Sequence, residues 1–190
     1  IVERYYGRAP ARSYFAACSN GGRQALMEAQ RHPEDFDGII AGAPAYDWVG
    51  AITGFAWNAQ ALFGSPDTGI TSAMTPAIAS EANAQCDLAD GLSDGVIADP
   101  ARCNVRASKS QCHYGKDTNE SCLSAPQWSA LEAIYRGPRD SQGHLIYPGF
   151  SPGGEVGNWP GNGWDGWIFG SADKGTIQRF FLQGFMRGFV

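Results

Sequence analysis

The first 45 residues leave this chain few ways to fold. SYFAAC, from Ser13 to Cys18, is a short apolar run of strand length, and GGRQALMEAQRH, from Gly21 to His32, reads as a helix stopped by Pro33. FDGIIAGA, from Phe36 to Ala43, is a second short apolar run that ends at Pro44. Strand, helix and strand in that order spell a βαβ unit of a parallel sheet, and a serine, Ser19, sits where the first strand meets the helix.

Beyond Pro44 the βαβ rhythm stops. Tyr46 to Phe63 is a mostly apolar, Trp-containing helical stretch, and Thr75 to Gln85 is a second helix candidate with Pro76 near its start. Ser124 is placed to cap a third helix, with Pro126 in its first turn and apolar positions at Trp128, Leu131, Ile134 and Tyr135. Asp140 to Phe150 suggests a hairpin or turn followed by a strand. Ser151 to Gly170 interleaves glycines with Trp159, Trp164 and Trp167 and reads as a loop, while the tail IQRFFLQGFMRGFV is a helix or an extended aromatic piece. The expected organisation is an α/β segment over residues 1–45 followed by an inserted cap over residues 46–190, incomplete at its C-terminus.

Charge narrows the partners. The net charge is −5 and the pI near 5.1, with Lys and Arg scattered singly, so no basic stripe is available for a phosphate backbone or an anionic lipid surface. No apolar run approaches the roughly 20 residues that span a bilayer, and Ile1 to Gly7 has neither half of a signal peptide. Neither nucleic acid nor membrane is an expected partner. The sequence begins at Ile1 without an initiator Met and runs directly into a structured pattern, which suggests an excised or fragmentary chain.

Five cysteines, Cys18, Cys86, Cys103, Cys112 and Cys122, form no CxxC pair and lie near no pair of His at zinc spacing. The last four lie in Gly-, Asp- and Ser-rich segments with little core of their own. Two local bridges there, Cys86 to Cys103 and Cys112 to Cys122, would each stabilise by roughly 3 kcal/mol on chain-entropy grounds, although spacing alone leaves other pairings open. Bridges of this kind imply an oxidising compartment, secreted or periplasmic. Cys18 is left over.

Ser19 lies within Ala17-Cys18-Ser19-Asn20-Gly21, one position away from the G-x-S-x-G nucleophile elbow, with Ala17 in place of the first glycine. Small residues are needed two places either side of the serine because strand and helix backbones pass close to it. At such a turn the Asn20 N–H can donate to a developing oxyanion, and the helix dipole favours the negative charge. The competing reading is a structural N-cap serine.

The run CSNGGRQALMEAQRHPEDFDGIIAGAPA, from Cys18 to Ala45, resembles the tannase and feruloyl esterase family, which also includes the bacterial enzyme that hydrolyses mono(2-hydroxyethyl) terephthalate. The resemblance is clear from Tyr5 to about Cys122 and vague after Ser124. It implies part of an α/β-hydrolase sheet with a nucleophile elbow, followed by an inserted, disulfide-stapled lid. It also implies that Ser19 is the nucleophile and that Cys18 bridges to a cysteine beside the catalytic His, outside this chain. The family usually has Gly where Ala17 stands.

A serine nucleophile needs a His oriented by an Asp, in the order Ser, Asp, His along an α/β-hydrolase chain. His32 ends the elbow helix, His113 follows Cys112, one of the expected bridge cysteines, and His144 lies in a turn-rich segment, so each reads as a surface histidine. The resemblance places the Asp and His after the cap, beyond Val190, and the second oxyanion donor before Ile1. On that reading the triad is incomplete in this chain and the polypeptide alone is inactive.

The stretch CDLADGLSDGVIADP, from Cys86 to Pro100, brings Asp87, Asp90 and Asp94 together between glycines, at a spacing that fails the EF-hand pattern. Without the resemblance a solvated acidic turn explains it slightly better. With the resemblance the loop is a structural Ca²⁺ site, held by the side chains of Asp87, Asp90 and Asp94 and the carbonyls of Leu92 and Val96. Asp99 has no assigned task.

The resemblance also assigns the lid most of the substrate pocket. Trp159 to Phe169 is then a place to look for aromatic acyl contacts, although aromatics in a Gly-rich segment more often anchor a small core. Arg179 and Arg187 are further candidates as carboxylate partners, and Asn119-Glu120-Ser121 is a glycosylation sequon. The expected activity is hydrolysis of aromatic carboxylic esters, galloyl, feruloyl or similar, through an acyl-enzyme and without an organic cofactor. Two alternatives remain: a non-catalytic calcium-stabilised binding domain, and a lipase-like esterase with aliphatic acyl specificity.

Overall fold

Two parallel strands and the helix between them form the N-terminal part of the computed structural model, which describes residues 1–107, 111–112, 121–157, 163–170 and 175–189. A short helix α1 (Val2–Tyr6) precedes strand β1 (Tyr14–Cys18), helix α2 (Asn20–Arg31) and strand β2 (Gly38–Gly42). The register runs from Tyr14 opposite Gly38 to Cys18 opposite Gly42. The βαβ unit expected from the apolar spacing is present, each boundary within two residues. The described sheet has only these two strands.

Asp37 fixes the entry to β2. Its carboxylate accepts from the Ser13 N–H at 2.8 Å and from Arg12 Nη1 at 2.9 Å, and its own N–H donates to the Ser13 carbonyl at 2.8 Å. The Ser13 amide first, and the Arg12 guanidinium second, hold the Asp37 carboxyl below the usual carboxylate range. The ion pair is exposed and contributes little by itself; its effect is to start the two strands in step.

Residue contacts divide the chain into two compact units, Ile1–Ala51 and Ile52–Val190. Helix α3 (Trp48–Phe63) begins in the first and continues in the second, followed by α4 (Thr75–Cys86), α5 (Ala125–Arg136) and α6 (Ile177–Phe189). Pro76 lies in the first turn of α4, where a missing N–H costs nothing. Ser124 caps α5 as expected, and Gln127 completes a capping box by accepting from the Ser124 N–H at 2.8 Å. The second unit's core gathers Leu62 from α3, Ile78 and Ala82 from α4, and Trp128, Leu131 and Ile134 from α5 around Leu123, Trp164, Ile168 and Phe169.

Two sequence expectations change here. Asp140 to Phe150 contains a turn closed by a single antiparallel bridge, Arg139 to Leu145, with no strand after it. The described part of the Gly- and Trp-rich segment is not wholly loop: Asp165–Phe169 forms one π-helical turn, closed by Gly170 N–H donating to the Asp165 carbonyl at 2.7 Å. One turn is too short to show a period. Its Trp164, Ile168 and Phe169 are core residues, so those aromatics anchor packing, whereas Trp159 lies outside the described residues.

Glu155 is fully buried, a burial no sequence pattern announced. Tyr135 Oη donates to its Oε1 at 2.6 Å and the Gly153 N–H to its Oε2 at 2.9 Å, which ties the segment after α5 back onto that helix. Burial first, then the Glu155 carboxylate, pushes the Tyr135 phenol well above its ordinary value, so it stays a donor.

Candidate active site

Ser19 stands between β1 and α2 with φ 58° and ψ −118°, a conformation that L-residues rarely adopt. Strain of this kind persists only where the surroundings over-determine it. Here the Ser19 N–H donates to the Gly42 carbonyl at 3.0 Å, and the Ser19 carbonyl accepts from both Arg23 N–H and Ala45 N–H at 3.1 Å. The Ser19 side chain makes no capping bond to α2, so the N-cap reading has no hydrogen bond to support it. The serine is exposed at the top of the turn.

The small residues around it are there because backbones pass close. A Cβ on Gly21 would lie 2.7 Å from the Ala17 Cβ, and one on Gly22 would lie 2.3 Å from the Gly42 carbonyl oxygen and 3.0 Å from the Pro44 Cα. Helix α2 therefore starts almost in contact with both strands, and that contact fixes the direction in which Ser19 and the Asn20 N–H face. The elbow pattern signalled Gly21; the need for Gly22 and Gly42, and the positive φ of Ala43 at 38°, had no signal in a single sequence.

Cys18 is a free, exposed thiol at the end of β1, and a Cβ on Gly42 would lie 2.5 Å from its Sγ. His32 is exposed at the C-terminal end of α2, a 12-residue helix about 18 Å long, so it cannot serve Ser19 at the N-terminal end. His144 is committed elsewhere: its Nδ1 pairs with Asp140 at 3.0 Å across an exposed turn. The His144 N–H, the largest influence, holds the Asp140 carboxyl below the usual range. His113 and the Asn119 sequon lie outside the described residues.

The bridges Cys86–Cys103 and Cys112–Cys122 are both formed. The first brackets the acidic loop. Asp87 Oδ1 accepts from Gly95 N–H at 2.9 Å and Asp94 N–H at 3.3 Å, Asp90 Oδ1 from Leu92 N–H at 2.9 Å, and Asp94 Oδ1 from Val96 N–H at 3.0 Å. The donor set is the hard-oxygen chemistry that Ca²⁺ prefers. The carboxylates are turned onto their own loop amides, however, and no three acidic, His or Cys side chains among the described residues converge on one point.

Arg179 lies over the Phe63 ring at 5.9 Å from its centroid, and Arg187 sits in the last turn of α6. Trp167, on the π-helical turn, stacks on Phe181 with centroids 6.3 Å apart. No helix among the described residues is long and apolar enough to cross a membrane.

The family model of tannase and feruloyl esterase matches residues 1–189. An uncharacterized esterase of Xanthomonas campestris pv. campestris is 44% identical over 173 residues, which cover 90% of this chain and 29% of that protein. A probable feruloyl esterase B-2 of Aspergillus terreus is 36% identical over 160 residues, covering 82% of this chain and 30% of its relative. The crystal structure of an esterase from Aspergillus oryzae superposes with a TM-score of 0.76 at 30% identity, over 94% of this chain and 33% of that one. The chain thus spans about a third or less of the length of the relatives it matches. From the matched family model and these relatives, the chain belongs to the tannase and feruloyl esterase family.

Proposed function

We propose that this chain is the nucleophile-bearing part of a serine carboxylic ester hydrolase acting on phenolic esters, with Ser19 as the nucleophile. The observation that carries the proposal is the strained φ of Ser19 at a strand-to-helix turn, held by three backbone hydrogen bonds, with its hydroxyl unused in capping. Family membership supplies the ester chemistry.

In the proposed reaction Ser19 Oγ attacks the ester carbonyl while a His base takes the hydroxyl proton, and the Asn20 N–H receives the negative charge that develops on the carbonyl oxygen. Collapse of the intermediate expels the alcohol, which leaves with the proton from the His. Water then attacks the acyl-serine with the same base, releasing the acid. The His and its Asp are proposed to come from polypeptide outside these residues, with Cys18 bridged to a cysteine near that His.

Residues 46–190 are proposed as the lid over the serine. Asp87, Asp90 and Asp94, with the Leu92 and Val96 carbonyls, are proposed to hold a structural Ca²⁺ once their carboxylates turn from the loop amides; the bound ion would supply only a charge that gathers the loop. The two bridges favour a secreted or periplasmic setting.

The test is turnover by a polypeptide that contains this chain together with the His and Asp. Hydroxycinnamoyl and galloyl esters should be cleaved in preference to short aliphatic esters, and Ser19→Ala should abolish cleavage. Preference for aliphatic esters would favour the lipase-like alternative; full activity of Ser19→Ala would end the serine mechanism.

A further inference from the structure

The peptide group joining Ser19 to Asn20 carries the N–H proposed to meet the oxyanion, and Arg23 contacts both that group and the Asn20 side chain beside it. Its backbone N–H donates to the Ser19 carbonyl at 3.1 Å, and its side-chain Nε donates to Asn20 Oδ1 at 3.0 Å. A trans peptide is planar, with its C=O and N–H pointing in opposite directions. Holding the Ser19 oxygen on the Arg23 and Ala45 amides therefore turns the Asn20 N–H away from both. As one of the first residues of a helix, Asn20 has no intrahelical acceptor for that N–H.

The Asn20 side chain is the weak point of this arrangement. Asn near a helix start readily hydrogen-bonds to nearby backbone groups in place of the helix ladder. Loose beside Ser19, its Oδ1 would be an acceptor for the first amides of α2 or for the Ser19 hydroxyl, whose proton the base must take. Arg23 occupies that oxygen and places a cation on the first turn of the helix.

We infer that Arg23 is a positioning residue of the oxyanion site, its guanidinium holding the Asn20 side chain so that the Asn20 backbone N–H stays presented to the substrate carbonyl. The inference rests on the reading of Ser19 as nucleophile. The contact is exposed, so its loss should scarcely change folding stability. Its effect should fall on the chemical step, because the oxyanion bond matters most in the transition state.

The experiment measures kcat, KM and thermal midpoint for Arg23→Ala, Arg23→Lys, Asn20→Ala and the Arg23→Ala/Asn20→Ala double variant, in the polypeptide that turns over ester, with Ser19→Ala alongside. Removing a whole oxyanion donor costs about 10²- to 10³-fold in kcat, and a misdirected one should cost about tenfold. Arg23→Ala should therefore lose about tenfold in kcat with KM within about twofold and an unchanged thermal midpoint. Arg23→Lys should recover part of the loss through its single donor. The double variant should be no worse than the poorer single variant, because Arg23 acts through Asn20.

Wild-type kcat in Arg23→Ala, or losses that multiply in the double variant, would overturn the inference while leaving an inactive Ser19→Ala to uphold the nucleophile. An active Ser19→Ala would remove both. If Arg23→Ala does not fold, Arg23→Met, which keeps the side-chain stem and removes the donor, decides the matter: unchanged kcat overturns the inference.

Discussion

Substituting Gly21 by Ala puts a methyl group where the structure has no room for one. The new Cβ would lie 2.7 Å from the Ala17 Cβ, roughly 1 Å inside the separation at which two carbons rest. Neither atom can swing aside, since one is on a strand and the other on the first turn of a helix. The helix start must lift from β1, at a cost of about 1–3 kcal/mol for an overpacked contact. The same shift carries the Asn20 N–H with it, and a misplacement of about 1 Å at a reacting centre is worth about 10²-fold in rate. Gly21→Ala should therefore lose about two orders of magnitude in ester turnover and show a lower midpoint in thermal unfolding followed by circular dichroism. The clash has one partner, so Ala17→Gly/Gly21→Ala should recover most of both, less about 0.5–1 kcal/mol for glycine in the strand. A fully active Gly21→Ala, or a double variant as poor as the single one, would refute the close-approach explanation of the elbow.

Other outcomes follow from the second unit and from the strand entry. Tyr135→Phe strips the phenol donor from the buried Glu155 carboxylate and should cost about 2–4 kcal/mol; urea unfolding should show it, and a loss below about 0.5 kcal/mol would mean the hydroxyl is not needed. Because the folded state holds Asp37 below its ordinary 3.8, its contribution is present above that value and is lost as pH falls through the lower folded value. Asp37→Asn should accordingly flatten the acid limb of stability below about pH 4, read from thermal midpoints across a pH series. Millimolar Ca²⁺ should raise the thermal midpoint of the wild type and not of Asp87→Asn/Asp94→Asn; equal shifts in both would contradict the calcium proposal.

The elbow region was legible because its signals are local. Apolar runs bounded by Pro33 and Pro44, with small residues around Ser19, specify strand, turn and helix without help from distant contacts. The same holds for α5, where Ser124 announces the cap and Pro126 the first turn. What sequence could not supply depends on packing between elements. Glu155 is buried where Tyr135 reaches it from α5, and Gly22 and Gly42 are required because α2 lies against β2 and Cys18 crowds Gly42. The π-helical turn at Asp165–Phe169 is a single turn and leaves no period to detect, so its core residues were hidden among glycines. The acidic loop shows the opposite limit: its carboxylates are evident in sequence, but their orientation is set by backbone amides of the same loop.

The central claim is that Ser19 is the nucleophile, and covalent labelling tests it most directly. The ester-hydrolysing polypeptide should be treated with a fluorophosphonate, digested and read by mass spectrometry. One phosphonyl adduct on the peptide containing Ser19, formed in step with loss of activity and absent in Ser19→Ala, is the expected result. Loss of activity with the adduct on another residue, or turnover that survives Ser19→Ala, would contradict it.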